Sequence, residues 1–472
     1  MKKNLKKCLT ILLFLCMTAG LLSGCNANKE TAGTGNGENT TLGDASETAT
    51  NEGENSRYID DGGLTWDTQE NMYVMEEDIL TGKAQLKLWI DNEKLGEAIK
   101  EGFVKKYPNV DLVVEVVLST DTISKMSLEG EAGTGADVFI IPHDGVGTAM
   151  NSAVIGMMGR YGDLIQERFL DSAVETVNIN EAIYGVPFLT ECAAMIYNKT
   201  LLTKLFEDGI IDSPEPVTDM TQMLDLGKKY NDPVNNKWAF RWQSSDSYMN
   251  ACWLTSAGYQ LFGPDHSDAN QVNLNSKEVV DGLTYYQQFR DIWDINSGDA
   301  NWDTTVVEFA KGETPYLICG PWSMEACYEG GKENNFEVGV TALPAFNGNQ
   351  AYTFSGVQLA CVSSYSQYPA AARALAMYIG SDEVLTYLYK DLGKLPALKD
   401  GSSIPGLSED ANVQGFMKQA EYSFAMPIIP EISYYWTATK SMFEAVWDGV
   451  LTPQEAADKA QADFEALRAS AQ

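Results

Sequence analysis

Histidine is almost missing from this chain: His143 and His266 are the only two in 472 residues. Histidine-based catalysis is therefore confined to His143, beside Asp144, and no serine is singled out to complete a triad. A zinc site lacks both the histidines and the Cys/His spacing it needs. Basic residues are also scarce, 33 against 66 acidic ones, for a formal net charge of −33. Nucleic-acid binding requires a basic footprint, and anionic membranes attract polybasic surfaces, so both are excluded as functions. The acidic excess does not choose between an acidic and a neutral ligand. The sequence contains no Gly-x-x-x-x-Gly-Lys phosphate cradle, no Gly-x-Ser-x-Gly elbow and no solenoid repeat. Nothing in it asks for a cofactor. Past residues 8–22 no apolar run is long enough to span a bilayer.

That first run is itself informative. Lys2, Lys3, Lys6 and Lys7 precede it, and Leu22-Ser23-Gly24-Cys25 closes it. Charged, apolar and small-residue segments in this order make a signal peptide. The Leu-x-Gly-Cys ending resembles a bacterial lipoprotein signal, which implies cleavage before Cys25 and lipidation of that cysteine. Losing the four lysines takes the formal charge from −33 to −37. Residues 26–63, rich in Gly, Asn, Thr and Glu, read as a disordered tether. The expected location is the outer face of the cell membrane, with the body held by lipid. Beyond Cys25 five cysteines remain, Cys192, Cys252, Cys319, Cys327 and Cys361, an odd number set mostly among apolar neighbours. They read as small buried hydrophobes, with a Cys319–Cys327 bridge as the alternative.

The length allows two or three domains. Residues 84–90, 110–118 and 138–141 read as strands, with a helix over 97–107. This is the βαβ rhythm of a layered α/β domain. Residues 64–81 suggest a short helix. Residues 191–198 read as one strand, opened by the isolated carboxylate of Glu191, which is costly to bury without a partner. Helices are expected over 369–379, 381–391, 413–420 and 434–447. The last helix begins at Thr452-Pro453-Gln454-Glu455, a capping box with proline at its first position.

Aromatic residues are plentiful: 10 Trp, 22 Tyr and 17 Phe. In residues 309–362 two short apolar strands flank Gly320-Pro321-Trp322. Trp322 follows a strand end, where α/β domains carry binding groups; it is either core or a ligand platform. Aromatic faces with carboxylates and amides suit sugars, which offer flat C–H faces and directional hydroxyls.

Seven pieces, in order, carry a resemblance: KLWIDNEKLGEA, ADVFIIPHDGVG, YGVPFLTECAAMIYNK, FAKGETPYLICGPWSM, FEVGVTALPAFNG, FSGVQLACV and MPIIPEISYYWTATKSMFEAV. Together, over residues 84–465, they resemble the extracellular solute-binding lipoproteins of ABC sugar importers, of the maltose/maltodextrin-binding kind. The resemblance implies an α/β fold of two lobes with sugar held between them, closing to present both lobes to a permease. It divides the chain into a leader (1–24), a lipidated tether (25–63), a first lobe (64–190 and 354–402) and a second (191–353 and 403–472). Crossings fall near 189–192, 354–359 and 397–415. It implies a monomeric, non-enzymatic carrier of maltose or longer maltodextrins.

The family's sugar contacts fall on Glu93 and Lys94, Asp144, Glu191, Trp322 and Trp436, with Tyr435 from the same turn. Asp246 and Tyr248 stand in where the pattern aligns poorly. Two departures concern ligand length: Ile141 stands where close maltose binders carry Trp, and Gly145 where they carry Arg. The alternatives are another oligosaccharide, or a secreted glycosidase acting through Asp144 and Glu191.

Overall fold

A computed structural model describes residues 56–470. The expectations for residues 1–55, Cys25 among them, lie outside the described residues. Two sheets dominate. The first contains β1 (Gln85–Ile90), β2 (Asp111–Val116), β3 (Val138–Pro142) and β4 (Val186–Cys192). The second contains β5 (Ala194–Asn198), β6 (Phe240–Arg241), β7 (Tyr316–Cys319) and β8 (Val338–Thr341) in the order β6-β7-β5-β8. The chain then returns to the first sheet as β9 (Thr353–Ser363) and β10 (Leu395–Pro396). The first sheet runs β10-β4-β9-β3-β1-β2, and β11 (Ser423–Ala425) lies parallel to the start of β9.

The strands follow from their sequences. Buried on both faces, β3 is a continuous apolar run, and β1 becomes one from Leu88 after the exposed Gln85 and half-buried Lys87. Between them and β2 runs helix α1 (Glu93–Lys106), which starts where Asn92 accepts a hydrogen bond from Leu95 N–H at 2.8 Å. Such a cap contributes about 1 kcal/mol. β9 sits between β4 and β3, in register from Val186↔Ala360 and from Val362↔Val138. Its eleven residues are largely buried, so FSGVQLACV is sheet centre.

The expected single strand over 191–198 divides at Ala193. β4 belongs to the first sheet and β5 to the second, so Ala193 is where the chain changes sheets. It returns between Thr341 and Thr353. It leaves again after Pro396 for helix α2 (Ala411–Ala420), which meets the second sheet where Asn412 Oδ1 accepts from Val340 N–H at 3.0 Å.

Other differences have plain causes. Residues 58–73 form a small antiparallel meander, Tyr58–Asp61, Leu64–Asp67 and Met72–Tyr73, followed by a one-turn helix Glu77–Leu80. The end of the supposed tether is thus ordered, because Arg57 pairs with Asp67 at 2.7 Å and Trp66, Tyr73 and Tyr161 pack edge to face. All five described cysteines are buried and free, so the Cys319–Cys327 bridge is not formed. Burial pushes the thiol of Cys319 up to about 11 and that of Cys192 up to about 12. The capping box forms: Glu455 Oε2 accepts from Thr452 N–H at 3.0 Å, and Thr452 Oγ1 from Glu455 N–H at 3.3 Å. Among the described residues no helix is long and apolar enough to cross a membrane.

Candidate functional site

A cavity of about 1040 Å³ is walled by the end of β3, by β4 and β9, and by loops and helices from the second sheet's side. Asp144, Glu191, Asp246, Tyr248, Trp322 and Trp436 all line it. These six come from five stretches of chain and converge only through the sheet crossings.

Each is positioned by something definite. Asp144 sits in the turn just past β3, anchored by its neighbour. His143 is fully buried; its Nδ1 accepts from Val357 N–H and its Nε2 donates to Met426 O, both at 3.0 Å. Both ring nitrogens are committed to backbone, which fixes the tautomer, and burial pushes the imidazole below its usual range. His143 is a fastener between β3, β9 and the segment before helix α3 (Ile432–Trp447), and no proton shuttle. From α3, Trp436 Nε1 donates to Asp144 Oδ2 at 2.9 Å.

Glu191 lies one residue before the end of β4. Its Oε2 accepts from Gln358 Nε2 at 3.0 Å, while burial pushes its carboxyl up; Lys394 and this hydrogen bond pull the other way and Asp91 adds to the rise. Asp246 caps a helix (Ser247–Thr255), accepting from Met249 N–H at 2.8 Å, and burial pushes its carboxyl up as well. The Tyr248 hydroxyl lies 3.1 Å from Phe354 O and 3.3 Å from Glu191 O, so its one proton ties the helix to β9 or β4. Its ring stacks on Phe354 and meets Trp322 edge to face at 5.8 Å.

Trp322 is half-buried, with its ring over Gly320. A Cβ on Gly320 would stand 2.1 Å from the Trp322 ring, so only glycine leaves the indole where it is. Gly320→Ala is expected to swing the ring from the cavity wall and weaken ligand binding several-fold, at a stability cost of about 1–3 kcal/mol, the usual range for overpacking. Calorimetric titration beside a melting curve checks both numbers; unchanged affinity would place the ring outside the contact surface.

Three expected contacts sit elsewhere. Glu93 and Lys94 open α1 on the exposed surface and do not line the cavity. Lys94 is held by Glu325 and, at 3.2 Å, by Glu329, both on the helix Met324–Asn334; these partners push its ammonium above its usual range. Tyr435 is 1% exposed and packs against Phe354 and Trp436. Successive helix residues point in different directions, so Tyr435 cannot share Trp436's face.

A family model for bacterial extracellular solute-binding proteins matches residues 98–415. The chain belongs to the bacterial extracellular solute-binding proteins. It is similar to the galactooligosaccharide-binding protein of Bacillus subtilis (strain 168), 26% identical over 386 residues, covering 80% of this chain and 88% of that one. It is similar to the maltotriose-binding protein of Pyrococcus abyssi (strain GE5 / Orsay), 24% identical, covering 82% and 80%. Among solved structures it resembles a cyclo/maltodextrin-binding protein complexed with maltotetraose, with TM-score 0.65 and 27% identity, covering 81% of this chain and 96% of that one. The two-lobed α/β fold with sheet-to-sheet crossings is the one these proteins share.

Lys440 and Gln358 are among the cavity residues of this solute-binding protein that escaped the sequence reading. Lys440 follows Trp436 by one helical turn, and that spacing alone puts both on one face. Gln358 is the one amide in the apolar run of β9, a polar residue inside a buried strand. Among the described residues no three His, Cys, Asp or Glu side chains gather to hold a metal ion.

Proposed function

We propose that this solute-binding protein captures an oligosaccharide, maltose to longer maltodextrins, between its lobes and delivers it to the permease of an ABC importer. One observation carries the reading: two part-exposed indoles, Trp322 and Trp436, share a single cavity with the carboxylates of Asp144 and Glu191. Aromatic faces take the C–H side of a pyranose, and carboxylates take its hydroxyls. The cavity lies at the upper end of the usual volume for small-molecule sites, as an oligomer needs. The lobes divide near Ala193, in 341–353 and in 396–411, and closure about these crossings brings both walls onto the sugar. The relative named for maltotriose and the cyclo/maltodextrin-binding protein complexed with maltotetraose support the α-glucan. The Bacillus relative favours a second reading, a galactooligosaccharide. Position 141, an isoleucine wholly buried against β9, offers no stacking face and bears on ligand length.

Calorimetry with maltose, maltotriose, maltotetraose and a β-1,4-galactotriose tests both readings. Tightest binding within the maltose series is expected; a preference for the galactan selects the second. Family membership makes the chain a carrier instead of a glycosidase, and product accumulating over hours of incubation would reverse that. Lipid anchoring through Cys25 belongs to the same proposal, resting on the Leu-Ser-Gly-Cys junction. Cys25→Ser is expected to release the protein from the cell envelope. A variant still extracted with detergent and carrying lipid removes the anchor from the proposal.

A further inference from the structure

A smaller chamber of about 250 Å³ opens beside the main cavity and shares Glu191, Trp322 and Gln358 with it. Asp91, Leu95 and Lys394 also line it, with apolar residues of β1, β3 and β4. Lys394 is only 8% exposed, yet its ammonium has neither an ion pair nor a hydrogen bond among the described residues. The ammonium itself is not among the enclosed unpartnered atoms, so it opens on accessible space beside the chamber. Gln358 is half satisfied: its Nε2 serves Glu191, while its buried Oε1 has no partner. A free donor and the Glu191 carboxylate therefore line one chamber, the carboxylate held beside Gln358 by its Nε2 hydrogen bond.

Backbone geometry delivers Lys394 to this place. β10 pairs antiparallel with β4, Thr190 opposite Leu395, so the next step along sets Lys394 opposite Glu191. The turn before it needs Gly393, whose φ is +65° and where a Cβ would lie 2.8 Å from Met324 Cβ. The two charges stay beyond ion-pairing distance, leaving space between them.

We propose that Lys394 is a ligand-contacting residue: its ammonium donates to hydroxyls of a terminal sugar ring seated in this chamber, and Glu191 accepts from the same ring. Lys394 thereby does the work that sequence pattern gives to Lys94, which Glu325 and Glu329 hold outside the cavity. A sugar hydroxyl fits this set because it both donates and accepts. An anionic group is disfavoured, since Asp91 and Glu191 outnumber the lysine. The inference rests on the oligosaccharide reading.

Lys394→Met keeps the aliphatic stem and removes the donor; Lys394→Gln keeps a weaker one. Both are titrated beside the parent with maltose, maltotetraose and β-1,4-galactotriose, after melting curves show that they fold. Loss of one charge-assisted hydrogen bond is expected to weaken the Met variant about tenfold or more toward every sugar the parent binds, with Gln intermediate. The melting temperature reads the fold separately, since Lys394 also favours the ionised Glu191 carboxylate. Affinities equal to the parent's, with or without a change in melting temperature, overturn the role of Lys394 and leave the oligosaccharide reading intact. A parent that binds none of the three sugars overturns that reading and this inference together.

Discussion

Trp322→Ala should weaken sugar binding about thirtyfold or more while leaving the protein folded. Truncating a hot-spot aromatic costs on the order of 2 kcal/mol or more, and each 1.4 kcal/mol is tenfold. The indole is half-buried between Gly320 and Tyr248, and one part of it is open to the cavity. Its removal takes a stacking face from one wall and leaves Asp144 and Glu191 in place on the other. A ligand shifts the open–closed balance only by its differential affinity for the two states. Closure, followed by small-angle scattering at matched sugar concentration, should therefore be incomplete. Trp447→Ala is the contrasting case. That ring is 2% exposed, meets Trp242 edge to face at 5.0 Å, and donates to Ile295 O at 2.7 Å. Its loss should cost about 3–5 kcal/mol of stability, the range for large-to-small aromatic changes in a core, with little direct effect on affinity. If Trp322→Ala binds and compacts like the parent while lowering the melting temperature, Trp322 is core.

The pair shows what sequence patterning can and cannot separate. Trp436 and Trp447 lie on one helix, and Trp322 follows a strand end, yet composition treats all three alike. The Gly-Pro break placed Trp322 at a strand end, as either core or a ligand platform, and the stretch alone did not choose between them. Local signals of this sort were legible: the Thr452–Glu455 box and the β-branched strands, whereas the Asn92 cap, which starts α1 at Glu93 instead of Glu97, was missed. Non-local consequences were not legible. Nothing near Lys94 in sequence shows that Glu325 and Glu329 stand across from it, more than 230 residues away. Likewise the run 191–198 is apolar from Cys192 to Tyr197, and only the pairing of β4 with β9 and of β5 with β7 reveals the switch at Ala193. Lys394 gives no sequence signal at all. Its significance comes from the β4–β10 register, which is set by a two-residue strand too short to read as one.

Glu191→Gln should weaken binding and stabilise the fold at the same time. Burial is the main reason the Glu191 carboxyl is pushed up, against the opposing pull of Lys394 and of the Gln358 amide. A carboxyl whose folded value lies above its unfolded one binds its proton more readily in the native state. Stability from this group therefore falls as pH rises from the ordinary carboxylate value through the raised one, and the cost persists at neutral pH. Glutamine removes that cost. Its amide also supplies both a donor and an acceptor, so it can pair reciprocally with Gln358 and satisfy the Oε1 that now has no partner. The melting temperature of Glu191→Gln should exceed the parent's at pH 7, with the difference shrinking as acid protonates the parent's carboxyl. Binding runs the other way. An ionised carboxylate accepts from hydroxyls at roughly twice the strength of a neutral group, so about a tenfold loss of affinity is expected. In the parent, affinity should decline as pH falls through the raised Glu191 value, beginning above the ordinary carboxylate range, and sugar binding there should release a proton. In the variant that part of the profile should flatten. Titrations across pH in two buffers of different ionisation enthalpy measure the released proton directly. A variant that melts lower at pH 7 and keeps the parent's affinity and pH profile would show Glu191 to be a structural acid whose charge the fold already satisfies.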